Sequence, residues 1–436
     1  MKENDKKSVM YQIALRTFTA DGTLKAAMGM LPYLRENGFD IIYVCACFKE
    51  DEDMDYTTWS PRQQASHCQN PKNPYKIADY FKVDSEFGNL EDLKLFIQRA
   101  HDNSLKVLLD LVYLHCGSNA VFIKEHPDWV KQNSYGETLV GEAWPFARLN
   151  YENDDLREYL WSNMEYYIKE FEVDGYRCDV GAQVPLDFWE EGKKRIMKIN
   201  PNTIMLNEAW NEPDYVQSVF DMDYSRLTFE LSSEKIKEEL RKKKEEGTFG
   251  KYINYVENHD TASDLWPYRF DKKNKRTQAD ANLFYIYTRE GMPFIWNGNE
   301  IADVSEENMF SNRFFGKRNG IDWSGLVREK GKNRLQLIRE LNQMRHEYEV
   351  LTFGDTEIVS NDSQSVIAYV RDNGTTKMLA VIGLCDNAEY ETELFDGTES
   401  IVLSRNADLK DGKVTLDEFG FAAILLSNKS PAVTGK

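Results

Sequence analysis

Four apolar runs that each end in acids or histidines constrain this chain more than any other feature: KVLLDLVYLH (106–115), EVDGYRCDV (172–180), NTIMLNEAW (202–210) and KYINYVENHD (251–260). Near-continuous apolar, β-branched composition is what a strand buried on both faces shows, so each run reads as a central parallel strand with polar residues at its end. Similar runs lie at 10–18, 41–48, 218–224 and 293–301, which makes eight. Segments with apolar residues three and four apart separate several of them, at 90–104, 154–175 and 333–349. Strands alternating with helices predict a parallel sheet with helices outside it, and eight strands suit a closed (β/α)8 barrel. In such a barrel the C-terminal strand ends open on one face, so acids far apart in sequence meet there.

At 436 residues the chain exceeds the ~250 residues of a plain barrel. From about residue 351 the pattern changes to short alternating strands, SVIAYV, KMLAVIGL, KVTLDE and FAAILLS, punctuated by Asn-Gly and Asp-Gly turns. We therefore expect a catalytic barrel over 1–350 and an antiparallel β-sandwich domain over 351–436 with a frayed PAVTGK tail. Two long connections, 49–80 and 115–151, leave strand ends and should roof the site, the second as a short inserted loop domain after the third strand.

A formal charge of −19 argues against nucleic acid and anionic membranes as partners, since both are polyanions. The basic run KIKEELRKKKEEG (235–247) is balanced by Glu at helical spacing and reads as a solvated helix face. Six cysteines without a CxxC pair, several inside strands, suggest buried free thiols in a reducing compartment. Neither a membrane-spanning run nor an apolar leader segment is present in the chain as given, so a cytoplasmic location is expected. The acidic run DEDMD (51–55) starts like a calcium loop, but Tyr56 stands where the turn glycine belongs, so it reads as a plain acidic loop.

Breaking an acetal with retention requires two carboxyls about 5 to 5.5 Å apart, one to attack the anomeric carbon and one to protonate the leaving oxygen. Asp179 and Glu208, at the ends of successive expected strands, are the natural pair. Arg177 shares a strand face with Asp179 and can keep it ionised. Glu208, flanked by Leu206, Ala209 and Trp210, has the apolar surroundings that raise the pKa of an acid.

In this order the four strand-end segments resemble the α-amylase family of glycoside hydrolases over most of residues 10–345. DYFKVDSEFGNLEDLKLFIQRAHDNSLKVLLDLVYLH, GMPFIWNGNEI and RLQLIRELNQMR are similar to its approach to the third strand, its eighth strand and its closing helix. The resemblance implies that Asp179 is the nucleophile, Glu208 the acid/base and Asp260 the transition-state stabiliser. It also implies that Arg177 positions the nucleophile, that His115 and His259 bind the sugar being cleaved, and that Asp110 supports them. Tyr75 aligns with an aromatic platform; Asn258 and Trp210 complete the expected substrate-binding set.

The chain departs from the family where Leu114 replaces the Asn that ligates a structural calcium, and an apolar side chain offers no oxygen. No metal or other cofactor is therefore expected. The stretch after Asp179, Val180 to Gln183, lacks the Lys-His pair of secreted amylases, which resembles the neopullulanase and cyclomaltodextrinase branch, while RNGIDW (318–323) is similar to a segment of the α-glucosidase branch. The expected activity is hydrolysis of α-1,4 bonds in maltooligosaccharides, with α-1,6 bonds as a further target. A 4-α-glucanotransferase using the same residues is the alternative, and a non-catalytic carbohydrate-binding barrel is a third reading.

Overall fold

The structure is a computed structural model that describes residues 1–426 except 143, 210–211, 226–231, 263–268, 307, 311–313, 315–319 and 362–364. Eight parallel strands form one sheet: β1 (Met10–Ile13), β2 (Ile41–Val44), β3 (Lys106–Leu111), β4 (Gly175–Cys178), β5 (Ile204–Asn207), β6 (Asp223–Tyr224), β7 (Tyr252–Asn254) and β8 (Met292–Trp296). Their order runs β6-β7-β8-β1-β2-β3-β4-β5, and a parallel bridge between Leu206 and Met222 joins the two ends into a closed barrel. All eight strands were legible as apolar runs, because nearly every residue in them is buried on both faces.

The barrel's interior is filled by one hydrophobic cluster, including Met10, Tyr43, Leu108, Ile204, Met222, Ile253 and Phe294. A second, larger cluster lies between the strands and the outer helices. Asn89 caps the helix Leu90–Asp102, its side chain accepting from Asp92 N at 3.0 Å. Asn153 does the same for the helix Asp154–Phe171, which stops at Glu172 in the left-handed region, short of the 175 expected from the sequence. The basic run forms the helix Ser233–Glu245, but not all of it is solvated. Lys243 is buried against the Tyr252 ring at 4.1 Å and ion-paired with Glu239 at 2.6 Å.

Within the connection read as a loop over 49–80, a strand Ile77–Val83 pairs with Phe48–Glu50, and a short helix, Pro61–Ala65, stands above the barrel mouth. The 115–151 insertion is small, built on the pairing of His115–Cys116 with Ala147–Arg148. Cys45, Cys47, Cys68, Cys116 and Cys178 are buried free thiols, and Cys385 is exposed.

Beyond the helices Glu329–Glu347 and Val350–Phe353, six antiparallel strands follow: β9 (Asp355–Ile358), β10 (Val366–Asp372), β11 (Lys377–Gly383), β12 (Ala388–Glu391), β13 (Ser400–Lys410) and β14 (Lys413–Leu426). KVTLDE and FAAILL, the described part of FAAILLS, prove to be two halves of β14, which bends at Phe419 with φ of 53°. Its first half pairs with β12 and its second with β11, while β13 runs along both. Asp411 and Gly412, both at positive φ, make the two-residue turn between β13 and β14. Phe284 on the barrel's last outer helix before β8 stacks on Phe421 at 4.5 Å, and the barrel's outer cluster continues into the sheet through Ile367, Tyr369, Met378 and Phe421. The PAVTGK tail lies outside the described residues.

Candidate active site

One guanidinium organises the centre of the barrel mouth. Arg177, fully buried at the end of β4, donates from Nη1 to Asp110 Oδ1 at 2.7 Å and Asp179 Oδ1 at 2.9 Å, and from Nη2 to Glu208 Oε2 at 2.5 Å. The rings of Tyr43, Tyr75 and Tyr224 surround it at 5.8, 5.9 and 5.8 Å. Parallel register makes this set possible, since Asp110 on β3 is paired with Arg177, which in turn is paired with Leu206 on β5, two residues before Glu208. Gly175 lets β4 and β5 approach, because a Cβ there would stand 1.9 Å from Ile204 O.

Three carboxyls facing one cation cannot all ionise freely. Burial raises Glu208 to about 8 against the pull of Arg177, with Asp179 and Asp260 adding to the rise. Burial also raises Asp179, to about 7, despite Arg177. Arg177 thus orients Asp179, but it does not hold it at an ordinary carboxylate pKa as the sequence alone suggests. Both carboxyls are pushed up, and a raised carboxyl at Glu208 suits an acid that must hold a proton near neutral pH. Asp110 is buried beneath both, bonded also by Tyr43 OH at 2.6 Å and Tyr75 OH at 3.1 Å, and so acts through Arg177.

Across the mouth, the turn after β7 presents His259 and Asp260. Asn258 shapes this turn, its side-chain oxygen accepting from Asp260 N at 3.1 Å and Thr261 N at 3.0 Å. Burial pushes the Asp260 carboxyl up, but His259, Arg62 and Arg177 outweigh it and hold it at about 2, ionised near neutral pH. Gln12 Nε2 lies 2.8 Å from His259 Nδ1, which leaves the other ring nitrogen, 3.5 Å from Asp260 Oδ2, to carry the proton. Burial keeps both imidazoles neutral, lowering His259 to about 4 and His115 to about 3. His115 Nε2 is 2.9 Å from Tyr75 O, and its buried Nδ1 has no partner among the described residues, leaving an acceptor for a hydroxyl. Tyr75 stacks on His259 at 5.5 Å.

These groups line a cavity of about 660 Å³. Asp179, Glu208, Asp260, His115, His259, Tyr75 and Asn258 all face it, Asp110 and Arg177 lie beneath it, and Trp210 lies outside the described residues. Trp144, Phe146, Tyr255, Met309 and Phe310 supply apolar surface. Gln12, Tyr43 and Arg62 were not singled out from the sequence. Gln12 carries a signal in retrospect, as a polar residue inside an apolar strand; Tyr43 and Arg62 carry none. Among the described residues no group of three or more His, Cys, Asp or Glu could hold a metal ion.

A (β/α)8 barrel with Asp179, Glu208 and Asp260 around one mouth defines the general class of barrel glycosidases. The Alpha amylase, catalytic domain model matches residues 3–138 and 129–364, and the chain belongs to the alpha-amylase family. It is 26% identical over 423 residues to the maltogenic alpha-amylase of Bacillus acidopullulyticus, covering 87% of this chain and 66% of that protein. It is 23% identical to a cyclomaltodextrinase of a Bacillus species, covering 87% and 68%, and 24% identical to neopullulanase 2 of Thermoactinomyces vulgaris, covering 80% and 60%. The chain therefore spans about two thirds of the length of these relatives or less. In fold it is similar to a noncanonic maltogenic alpha-amylase from Thermotoga neapolitana, with a TM-score of 0.79 and 23% identity over 97% of this chain and 100% of that one. An alpha-amylase from Lactobacillus plantarum gives 0.75 and 22% over the same shares.

Proposed function

We propose that this protein is a retaining glycoside hydrolase that cleaves α-1,4-glucosidic bonds, and α-1,6 bonds where they fit, in maltooligosaccharides. The observation that carries the reading is the pairing of Asp179 and Glu208 on one buried guanidinium, with ionised Asp260 facing the same cavity. Its relatives' names, maltogenic alpha-amylase, cyclomaltodextrinase and neopullulanase, support the substrate class.

In this mechanism Asp179 attacks the anomeric carbon while Glu208 gives its proton to the leaving glycosidic oxygen. The carbon–oxygen bond breaks and a glycosyl ester forms on Asp179. Glu208, now ionised, takes a proton from water, whose oxygen displaces Asp179 and restores both groups. Asp260 accepts hydroxyl hydrogen bonds that tighten as positive charge develops on the ring, and so favours the transition state over the ground state. His259 and His115, both neutral, offer the donor and acceptor that ring hydroxyls need.

Leu114 is buried in the outer hydrophobic cluster, has no side-chain oxygen where the family's calcium ligand would stand, and its carbonyl already accepts from Leu149 N, so the residues present do not fit that ion. We place the protein in a reducing, cytoplasmic compartment, a reading supported by its five buried unpaired cysteines. No described helix is long and apolar enough to cross a membrane.

The test is product formation from maltotriose, pullulan, β-cyclodextrin and soluble starch, with and without EDTA, for wild type, Asp179→Ala and Glu208→Gln. We expect EDTA-resistant activity that falls by about 10²–10⁴-fold or more in each variant. Activity surviving Asp179→Ala would sink the nucleophile assignment, and no turnover of any α-glucan would sink the substrate class. Products longer than maltotriose would mark glycosyl transfer.

A further inference from the structure

One cation in the cavity is used by none of these steps. Arg62, on the short helix Pro61–Ala65, donates from Nη1 to Asp260 Oδ1 at 2.8 Å and from Nη2 to His259 O at 2.9 Å. Its guanidinium lies 5.7 Å from the centre of the Phe310 ring, and its buried Nε has no hydrogen-bond partner among the described residues. The support is fixed. Ser60 caps the helix, Gln63 Nε2 donates to Asn70 O and Pro71 O at 2.9 and 3.0 Å, and Asn70 Nδ2 donates to Phe310 O at 2.7 Å. Three connections, those after β2, β7 and β8, are therefore tied together at Arg62.

The chemistry gives this knot a side. If Glu208 protonates the leaving oxygen, the leaving part of the substrate lies over the ends of β4 and β5, beside Glu208, Gln183 and Glu212. The retained sugars must extend the other way. In the barrel's strand order the ends of β7, β8 and β2 lie across the mouth from β4 and β5, and the tie between them stands in that path. A chain running through the cleft would have to pass a guanidinium anchored at both ends.

We propose that Arg62 is a specificity-determining residue that closes the non-reducing side of the cleft, so that the enzyme attacks maltooligosaccharides from their non-reducing end. Arg62, His259 and Asp260 all line the cavity, so the tie itself is the wall against which the terminal sugar ends. This rests on the α-glucan reading above and adds to it the direction of attack.

The experiment compares kcat/KM on maltoheptaose with that on maltoheptaose blocked at its non-reducing end by a 4,6-O-ethylidene group. It uses the full-length wild type, Arg62→Ala and Arg62→Gln, the second in case the first does not fold. Wild type should prefer the unblocked substrate by at least about 10-fold, the scale of a lost charge-assisted hydrogen bond. Arg62→Ala or Arg62→Gln should bring that ratio towards one as internal bonds become accessible. Equal rates on both substrates in wild type, or an unchanged ratio in the folded variants, would overturn the assignment. Wild type leaving unblocked maltoheptaose intact would overturn the α-glucan reading and this one with it.

Discussion

Replacing Arg177 with Met tests whether one buried cation sets the protonation of the whole centre. The side chain is of similar length but uncharged, so Asp110, Asp179 and Glu208 lose their shared partner. A neighbouring arginine lowers a carboxyl by about 1–3 units, so its removal should raise Asp179 from about 7 by that amount. Each unit of that rise lowers the ionised fraction of Asp179 near neutral pH by up to about 10-fold. Because the nucleophile works only when ionised, the acid limb of the kcat/KM profile should move towards alkaline pH, and Glu208, raised in the same way, should carry the opposite limb with it. Leaving carboxyls unpaired also costs about 3–5 kcal/mol of stability, so near-ultraviolet circular dichroism must first show a folded variant. The assay is initial-rate hydrolysis of maltotriose from pH 5 to 10. A folded variant whose acid limb stays at the wild-type position would refute the argument that Arg177 controls the nucleophile's charge.

Stability should depend on pH with a sign set by the same residues. Glu208 has a folded pKa of about 8, above its ordinary value of 4.5, so the folded state binds the extra proton. Its contribution is favourable below about pH 4.5 and is lost as pH rises towards 8. Chemical denaturation at pH 5 and pH 8 should show wild type losing stability over that interval and Glu208→Gln losing less, by on the order of 1 kcal/mol or more; equal losses would contradict the shift. Gly175→Ala would set a Cβ 1.9 Å from Ile204 O, forcing β4 and β5 apart. It should cost about 1–3 kcal/mol and reduce activity with it, and a thermal midpoint equal to wild type would show that the strands yield freely.

The barrel was legible because its strands advertise burial on both faces, and the strand-end segments marked the carboxyls Asp179, Glu208 and Asp260 that the fold brings to one cavity. What stayed hidden depended on partners distant in sequence. Arg62 is one arginine among polar residues until the fold brings it to Asp260, 198 positions away. The strand Ile77–Val83 was absorbed into a loop because IADYFKV is short and mixes charge with aromatics. β13 was missed since SIVLSRNADLK is half exposed, buries only Leu403 and lacks a clean apolar alternation. Lys243 looked like every other lysine in its helix, yet Glu239 and the Tyr252 ring draw it inside.

The stacking of Phe284 on Phe421 has a consequence for how the molecule comes apart. Barrel and sheet share one continuous apolar cluster, and Arg371 on β10 donates to Thr288 O and Gly354 O at 3.0 and 2.7 Å, fastening the sheet to the helix that precedes β8. Neither part can melt without stripping cover from the other, so heat should destroy them in one cooperative step. A lesion in the sheet, far from any carboxyl that touches sugar, would then shorten the working life of the catalyst as surely as a lesion in the barrel itself.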